Sequence, residues 1–153
     1  MVQKPTPGGH RGRRGFFQSL KADLVEAVRV YTRYDLPDSS GDTRRARNER
    51  AGEYAPDFIV PEEGQHVWNW FVDLNRSVSR ISNGICRMIL PSEYIAWREL
   101  TGHVVYAHEY DMLKCMDEAY CIETNLEFES LRTKQQEQQK ADMEAARGKT
   151  RRR

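Results

Sequence analysis

Apolar residues in this chain recur at intervals of three and four and nowhere alternate convincingly, which restricts the fold to packed helices. Over residues 16–34, Phe17, Leu20, Leu24, Ala27, Val28 and Tyr31 line one helical face. Asp35-Leu36-Pro37 stops that pattern, because proline disfavours helical geometry at the residue before it. Residues 37–43, PDSSGDT, form a turn cluster. The polar stretch RRARNERAGEY reads as a short helix or a loop. A linker through Ala55-Pro56 and Val60-Pro61 leads into a denser region.

From Gly64 the chain becomes aromatic and periodic. QHVWNWFVDLNRSVSRI places Val67, Trp70, Phe71, Leu74, Val78 and Ile81 on one stripe. Asn69, Asp73, Arg76 and Arg80 fall on the opposite face, as in an amphipathic helix of about four turns. Ser82-Asn83-Gly84 ends it, with Gly84 as a left-handed C-terminal residue. ICRMIL is a short extended piece or a buried loop. Pro91 suits the first turn of the next helix, PSEYIAWRELTG, whose apolar members are Tyr94, Ile95, Trp97 and Leu100. A long helix follows from about Ala107, with Met112, Leu113, Met116, Ala119, Tyr120, Ile122 and Leu126 on its buried side. Past Phe128 the stripe ends, and good helix formers prolong the helix into solvent before it frays.

The expected fold is therefore all-α: a small domain of three to four helices, a long C-terminal helix and disordered basic ends. The expected organisation is a disordered basic arm at 1–15, an N-terminal helix and linker at 16–60, a helical core at 61–130 and a polar, basic tail at 131–153. The 153 residues suit one domain, and only 39% of them are hydrophobic, so part of the chain lies outside any core. A net charge of +1 hides a segregation: residues 1–14 carry +4, residues 131–153 carry +5, and the body between them is acidic. Residues 105–130 hold one lysine against seven carboxylates. Basic ends can bind nucleic acid through phosphate neutralisation. No aromatic residue is interleaved with the tail charges to stack on bases, so a solvated tail is the favoured reading. No apolar run is long enough to cross a bilayer, which argues against a membrane protein. Three cysteines, an odd number, point to reduced thiols in a cytoplasmic setting.

Chemistry is sparsely signalled. His103 and His108 are five apart and Cys115 and Cys121 six apart, without the matched short spacings of a zinc site. On a helix the two cysteines diverge, whereas His108 and Cys115 share a face. No nucleophile elbow and no glycine-rich phosphate loop occurs. The carboxylate pairs Glu62-Glu63 and Asp117-Glu118 are adjacent and suit solvated faces. These patterns predict no enzyme, no metal and no cofactor. The tryptophans say more. Trp70 lies on the main stripe as core, whereas Trp68 lies off it, toward Val72 and Asn75. An off-stripe Trp is either a second packing surface or a partner-binding anchor.

The segment from Val60 to Tyr120 resembles the tail assembly chaperones of tailed bacteriophages, small proteins encoded just before the tape measure protein. Three blocks carry the resemblance. Pro61-Glu62-Glu63-Gly64 precedes Val67-Trp68-Asn69-Trp70-Phe71 and Leu74. Glu93, Ile95-Ala96-Trp97 and Leu100-Thr101-Gly102 form the second, and Glu109, Asp117, Ala119 and Tyr120 the third. The loop SNGICRMIL departs from the family's pattern, and the first 55 residues match no part of it. The resemblance implies a non-enzymatic protein of the infected host's cytoplasm that covers the tape measure protein and brings tail tube subunits to it. A helix-in-groove contact would shield apolar surface that otherwise aggregates. Trp68, Val72 and Trp97, supported by Phe71 and Tyr94, are the expected contact surface, with the carboxylates of 105–130 steering a basic partner. The competing expectations are a nucleic-acid-associated protein using its basic ends, and a structural tail-completion protein.

Overall fold

The computed structural model describes residues 9–38 and 40–150. Helix α1 spans Gly9–Tyr34, α2 Arg44–Ala51, α3 Gln65–Ser77, α4 Pro91–Thr101 and α5 Ala107–Thr150. Between α3 and α4 lies a small antiparallel hairpin, β1 (Ile81–Ser82) and β2 (Ile85–Cys86). The domain is all-α in substance, with a long C-terminal helix. The polar stretch at 44–51 takes the helical option, capped by the Thr43 hydroxyl, which accepts from Ala46 N–H at 3.2 Å. The arm expected over 1–15 is helical from Gly9; residues 1–8 lie outside the described residues.

Helices α1 and α5 form the main pairing. Lys21 bonds Asp111 at 2.8 Å and Arg33 holds Glu123 through both carboxylate oxygens, at 2.8 and 2.9 Å. Each pair is 90 residues apart, so the two helices run parallel. Leu20, Leu24, Ala27 and Val28 of α1 meet Met112, Leu113, Met116 and Ala119 of α5 in one core. Helix α3 closes it with Val67, Trp68, Phe71 and Leu74. Gly64 sits where a Cβ would come within 3.0–3.2 Å of Leu20 and Leu24, so the entry to α3 presses directly on α1. Arg45 binds the linker down, donating to Asp35 at 2.6 Å and to the Pro56 carbonyl at 2.7 Å.

Four expectations are corrected. Helix α3 stops at Ser77, not near Ile81, because Asn83 (φ 53°) and Gly84 (φ 70°) build a two-residue hairpin turn. Successive left-handed residues match the twist of paired strands, so Gly84 serves a hairpin and not a helix end. Ile81 is consequently exposed and off any helical stripe. On α5, Ile122 and Leu126 are exposed, since α1 and the hairpin cover other faces at that level. On α4 only Tyr94 and Trp97 are buried, while Ile95 and Leu100 point outward. No helix among the described residues is long and apolar enough to cross a membrane.

Candidate partner-binding groove

Helix α4 ends on left-handed Gly102, and a short extended connector returns the chain to α5. The two helices part where the connector enters, leaving an open groove of about 380 Å³. Its walls are Tyr94, Ile95 and Arg98 of α4, Val105 and Tyr106 of the connector and Tyr110 of α5. The Tyr94 and Tyr110 rings meet edge to face at 5.2 Å and form its floor. Ile95 (51% exposed) and Tyr106 (61% exposed) form its lip. Leu100 and Val104, at 88% and 71% exposure, lie outside the lining. Arg98 supplies the one charge among the lining residues.

The groove is held open by polar ties at both ends. Glu109, buried at the start of α5, accepts from Tyr106 N–H at 2.8 Å and bonds His66 of α3 at 2.8 Å. Glu93 in the first turn of α4 accepts from Leu90 N–H at 2.7 Å and from Arg87 at 2.7 and 2.8 Å. The Arg87 guanidinium and then that N–H hold the Glu93 carboxyl well down, to about 2.

Behind Tyr94 lies a buried polar centre. Arg80, just before the hairpin, and Asp117 of α5 form an ion pair whose side chains are 2% and 1% exposed. The other Asp117 oxygen accepts from Ile89 N–H at 2.9 Å, so one carboxylate ties the approach to α4 onto α5. Arg80 also donates to Asn75 at 2.6 Å and to the Arg87 carbonyl at 3.2 Å, and it stands 4.6 Å over the Tyr120 ring. Burial pushes the Asp117 carboxyl above its usual range, against the opposing pull of Arg80. Burial and the Asp117 charge push the Tyr94 hydroxyl up.

The expected contact residues do not gather at one surface. Trp68 is 92% buried: its ring stacks on Phe58 at 5.5 Å and meets Tyr31 edge-on at 5.7 Å. Helix α1 and the linker thus cover the side of α3 on which Trp68 projects, and Trp68 is core. Trp70, the expected core residue, is the half-buried one, lying 5.3 Å from His103 and 6.2 Å from Trp97. Phe71 is fully internal, against Tyr120 at 6.1 Å. Val72 is half-buried against the core. Trp97 is buried, donating its indole N–H to Asp73 at 2.7 Å. Of the five, Tyr94 alone reaches the groove. Ile95, Tyr106 and Tyr110 escaped the sequence reading, because only the packing of α4 against α5 decides which α4 residues face outward.

A second recess, between α1 and α5, is lined in part by Lys21, Arg29, Glu118 and Ile122 and is more polar. Among the described residues no three His, Cys, Asp or Glu side chains gather as metal ligands do. His108 packs on Phe17 at 4.3 Å and Cys121 turns to Cys86, so neither continues toward Cys115. Beyond Ser130 the described side chains of α5 are exposed, with Glu137, Asp142 and Glu144 set among Arg132, Lys134, Lys140 and Arg147. Comparison with protein-family models, curated proteins and solved structures returns no match to this chain.

Proposed function

We propose that this protein works by binding and not by turnover, as a tail assembly chaperone that covers apolar helical surface of a tape measure protein until tail tube subunits take its place. The observation that carries the reading is the groove between α4 and α5, with a floor of two tyrosines and an exposed lip of Ile95 and Tyr106. An apolar ridge of a guest helix fits such a groove, and exposed apolar patches of this kind mark interaction sites. The contact surface moves from the tryptophans to Ile95 and Tyr106.

The test is co-expression with a tailed-phage tape measure protein, followed by co-purification. Ile95→Asp with Tyr106→Asp should abolish recovery of the complex. The same variant should keep wild-type helix content and lose about 1–2 kcal/mol of stability, since both side chains are about half exposed. Undiminished recovery with the double variant would refute the groove as the contact surface. Binding to single-stranded nucleic acid that falls steeply with salt and vanishes on removal of residues 131–153 would favour the competing reading instead.

A further inference from the structure

Cys86 of β2 and Cys121 of α5 are buried with their sulfur atoms 3.5 Å apart. Both backbones are fixed. Asn125, one turn beyond Cys121, accepts from Cys86 N–H at 2.7 Å and donates to the Cys86 carbonyl at 3.1 Å, as a neighbouring strand would. The two sulfur atoms therefore face each other by construction and need approach by only about 1.5 Å to reach bonding distance. Arg80 completes the group. Its guanidinium donates to the Cys121 sulfur at 3.1 Å while it remains paired to Asp117.

We propose that Cys86 and Cys121 are a reversible dithiol–disulfide pair, closed by hydrogen peroxide with Cys121 as the attacking sulfur, which locks the hairpin onto α5. The asymmetry of the pair assigns the roles. Contact with the Cys86 thiol and the Arg80 charge together hold the Cys121 thiol down, to about 7, and it is Cys121 that the Arg80 guanidinium reaches, at 3.1 Å. Cys86 is pushed up by the same contact and by burial, and keeps its proton. Among the described residues, Asp117 is the carboxylate that acts on the pair, and its negative charge is matched by Arg80.

The chemistry balances. The Cys121 thiolate attacks peroxide; a sulfur–oxygen bond forms, the oxygen–oxygen bond breaks, and the departing hydroxide takes a proton to become water. Cys86 sulfur then attacks the Cys121 sulfenic sulfur. The sulfur–sulfur bond forms as the sulfur–oxygen bond breaks, and the Cys86 proton leaves with the hydroxyl as a second water. Two thiols are oxidised by two electrons and one peroxide is reduced to two waters. Peroxide would reach the pair by local opening of the hairpin, whose strands have two residues each. Cys115 lies on another face of α5, beside α1, and takes no part.

The experiment treats the purified full-length chain with hydrogen peroxide and measures intact mass, free thiols and a tryptic map without reduction. The expected result is a loss of two hydrogen masses, a fall from three free thiols to one, and a linked pair of the peptides ISNGICR and CMDEAYCIETNLEFESLR whose fragmentation places the bond on Cys121 and the free thiol on Cys115. Dithiothreitol should reverse all three. The oxidised protein should melt about 5–15 °C higher, because the bond closes a loop of about 36 residues. A Cys86→Ser variant should stop at a sulfenic acid on Cys121 that dimedone traps; the wild-type measurements stand without it should the variant fold poorly. Linkage through Cys115, sulfinic acid accumulating on wild-type Cys121, or linkage only in denaturant would each overturn the proposal.

Discussion

Replacing Arg80 by methionine isolates the energetic centre of the fold. The Arg80 and Asp117 side chains are 2% and 1% exposed, so the variant leaves a carboxylate in the core without a countercharge, held by the Ile89 N–H and near the Tyr94 hydroxyl. Removing one member of a buried ion pair costs about 3–5 kcal/mol. Asp117→Asn alone strands the guanidinium and should cost a similar amount. Arg80→Met with Asp117→Asn behaves differently. The asparagine oxygen still accepts from Ile89 N–H, and the methionine still lies against Tyr120. What remains is the loss of donors to the Arg87 carbonyl and to half-buried Asn75, about 1–3 kcal/mol together. Additivity of the single variants predicts about 6–10 kcal/mol, so the double variant should fall short of that sum by at least about 3 kcal/mol.

The assay is urea unfolding followed by tryptophan fluorescence, which reads the core through Trp68 and Trp97. A pH series adds a second signature. In Arg80→Met the folded Asp117 carboxyl, already pushed up by burial, rises further above its unfolded value of about 3.9. A folded pKa raised above the unfolded one means that the native state binds the proton more tightly. The stability of the variant should therefore recover as pH falls through that raised pKa. A double variant that loses the full sum of the single losses, with no recovery in acid, would refute the ion-pair account and leave packing as the cause.

Two further outcomes follow from the same contacts. Trp68→Ala should cost about 3–5 kcal/mol, because it empties the space between Tyr31 and Phe58; calorimetry checks this, and a loss below about 1 kcal/mol would return Trp68 to the surface. Glu93→Gln should cost about 0.5–1 kcal/mol at neutral pH, measured by urea unfolding. Since the folded Glu93 pKa is depressed to about 2, its contribution is complete above about 4.5, and the gap between wild type and variant should shrink as pH falls from there toward 2.

The helical stripes were legible because one face of each helix meets one neighbour. Leu20, Leu24 and Val28 on α1, and Val67, Phe71 and Leu74 on α3, are buried as their spacing requires. The exchange of roles between Trp68 and Trp70 was not legible. Trp68 is covered by Tyr31 and Phe58, partners 37 and 10 residues away, and no local period encodes them. The hairpin was misread for a local reason: a left-handed glycine serves a helix end and a hairpin turn alike. The distinguishing signal was its neighbour, since Asn83-Gly84 supplies two successive left-handed residues. That reading displaced Arg80 from a solvated helix face to the buried centre. The groove lip, Ile95 and Tyr106, depends on how far α4 and the connector stand off α5, which is a property of the assembled helices.

Five of the residues in the three sequence blocks do a structural kind of work. Gly64 lets α3 close on α1, Glu93 caps α4, Trp97 bonds Asp73, Glu109 caps α5 and Asp117 anchors Arg80 and Ile89. All five hold helices in register, and none lines the groove. Ile95 and Leu100 belong to the same blocks and stand outside this frame, so the pattern spans both the frame and part of the exposed surface. Under the proposed function, specificity would be set by side chains free of the frame, Ile95 and Tyr106 at the groove lip, which are about half exposed. Substitutions there should change which helix is bound, whereas substitutions in the frame should change whether there is a groove at all.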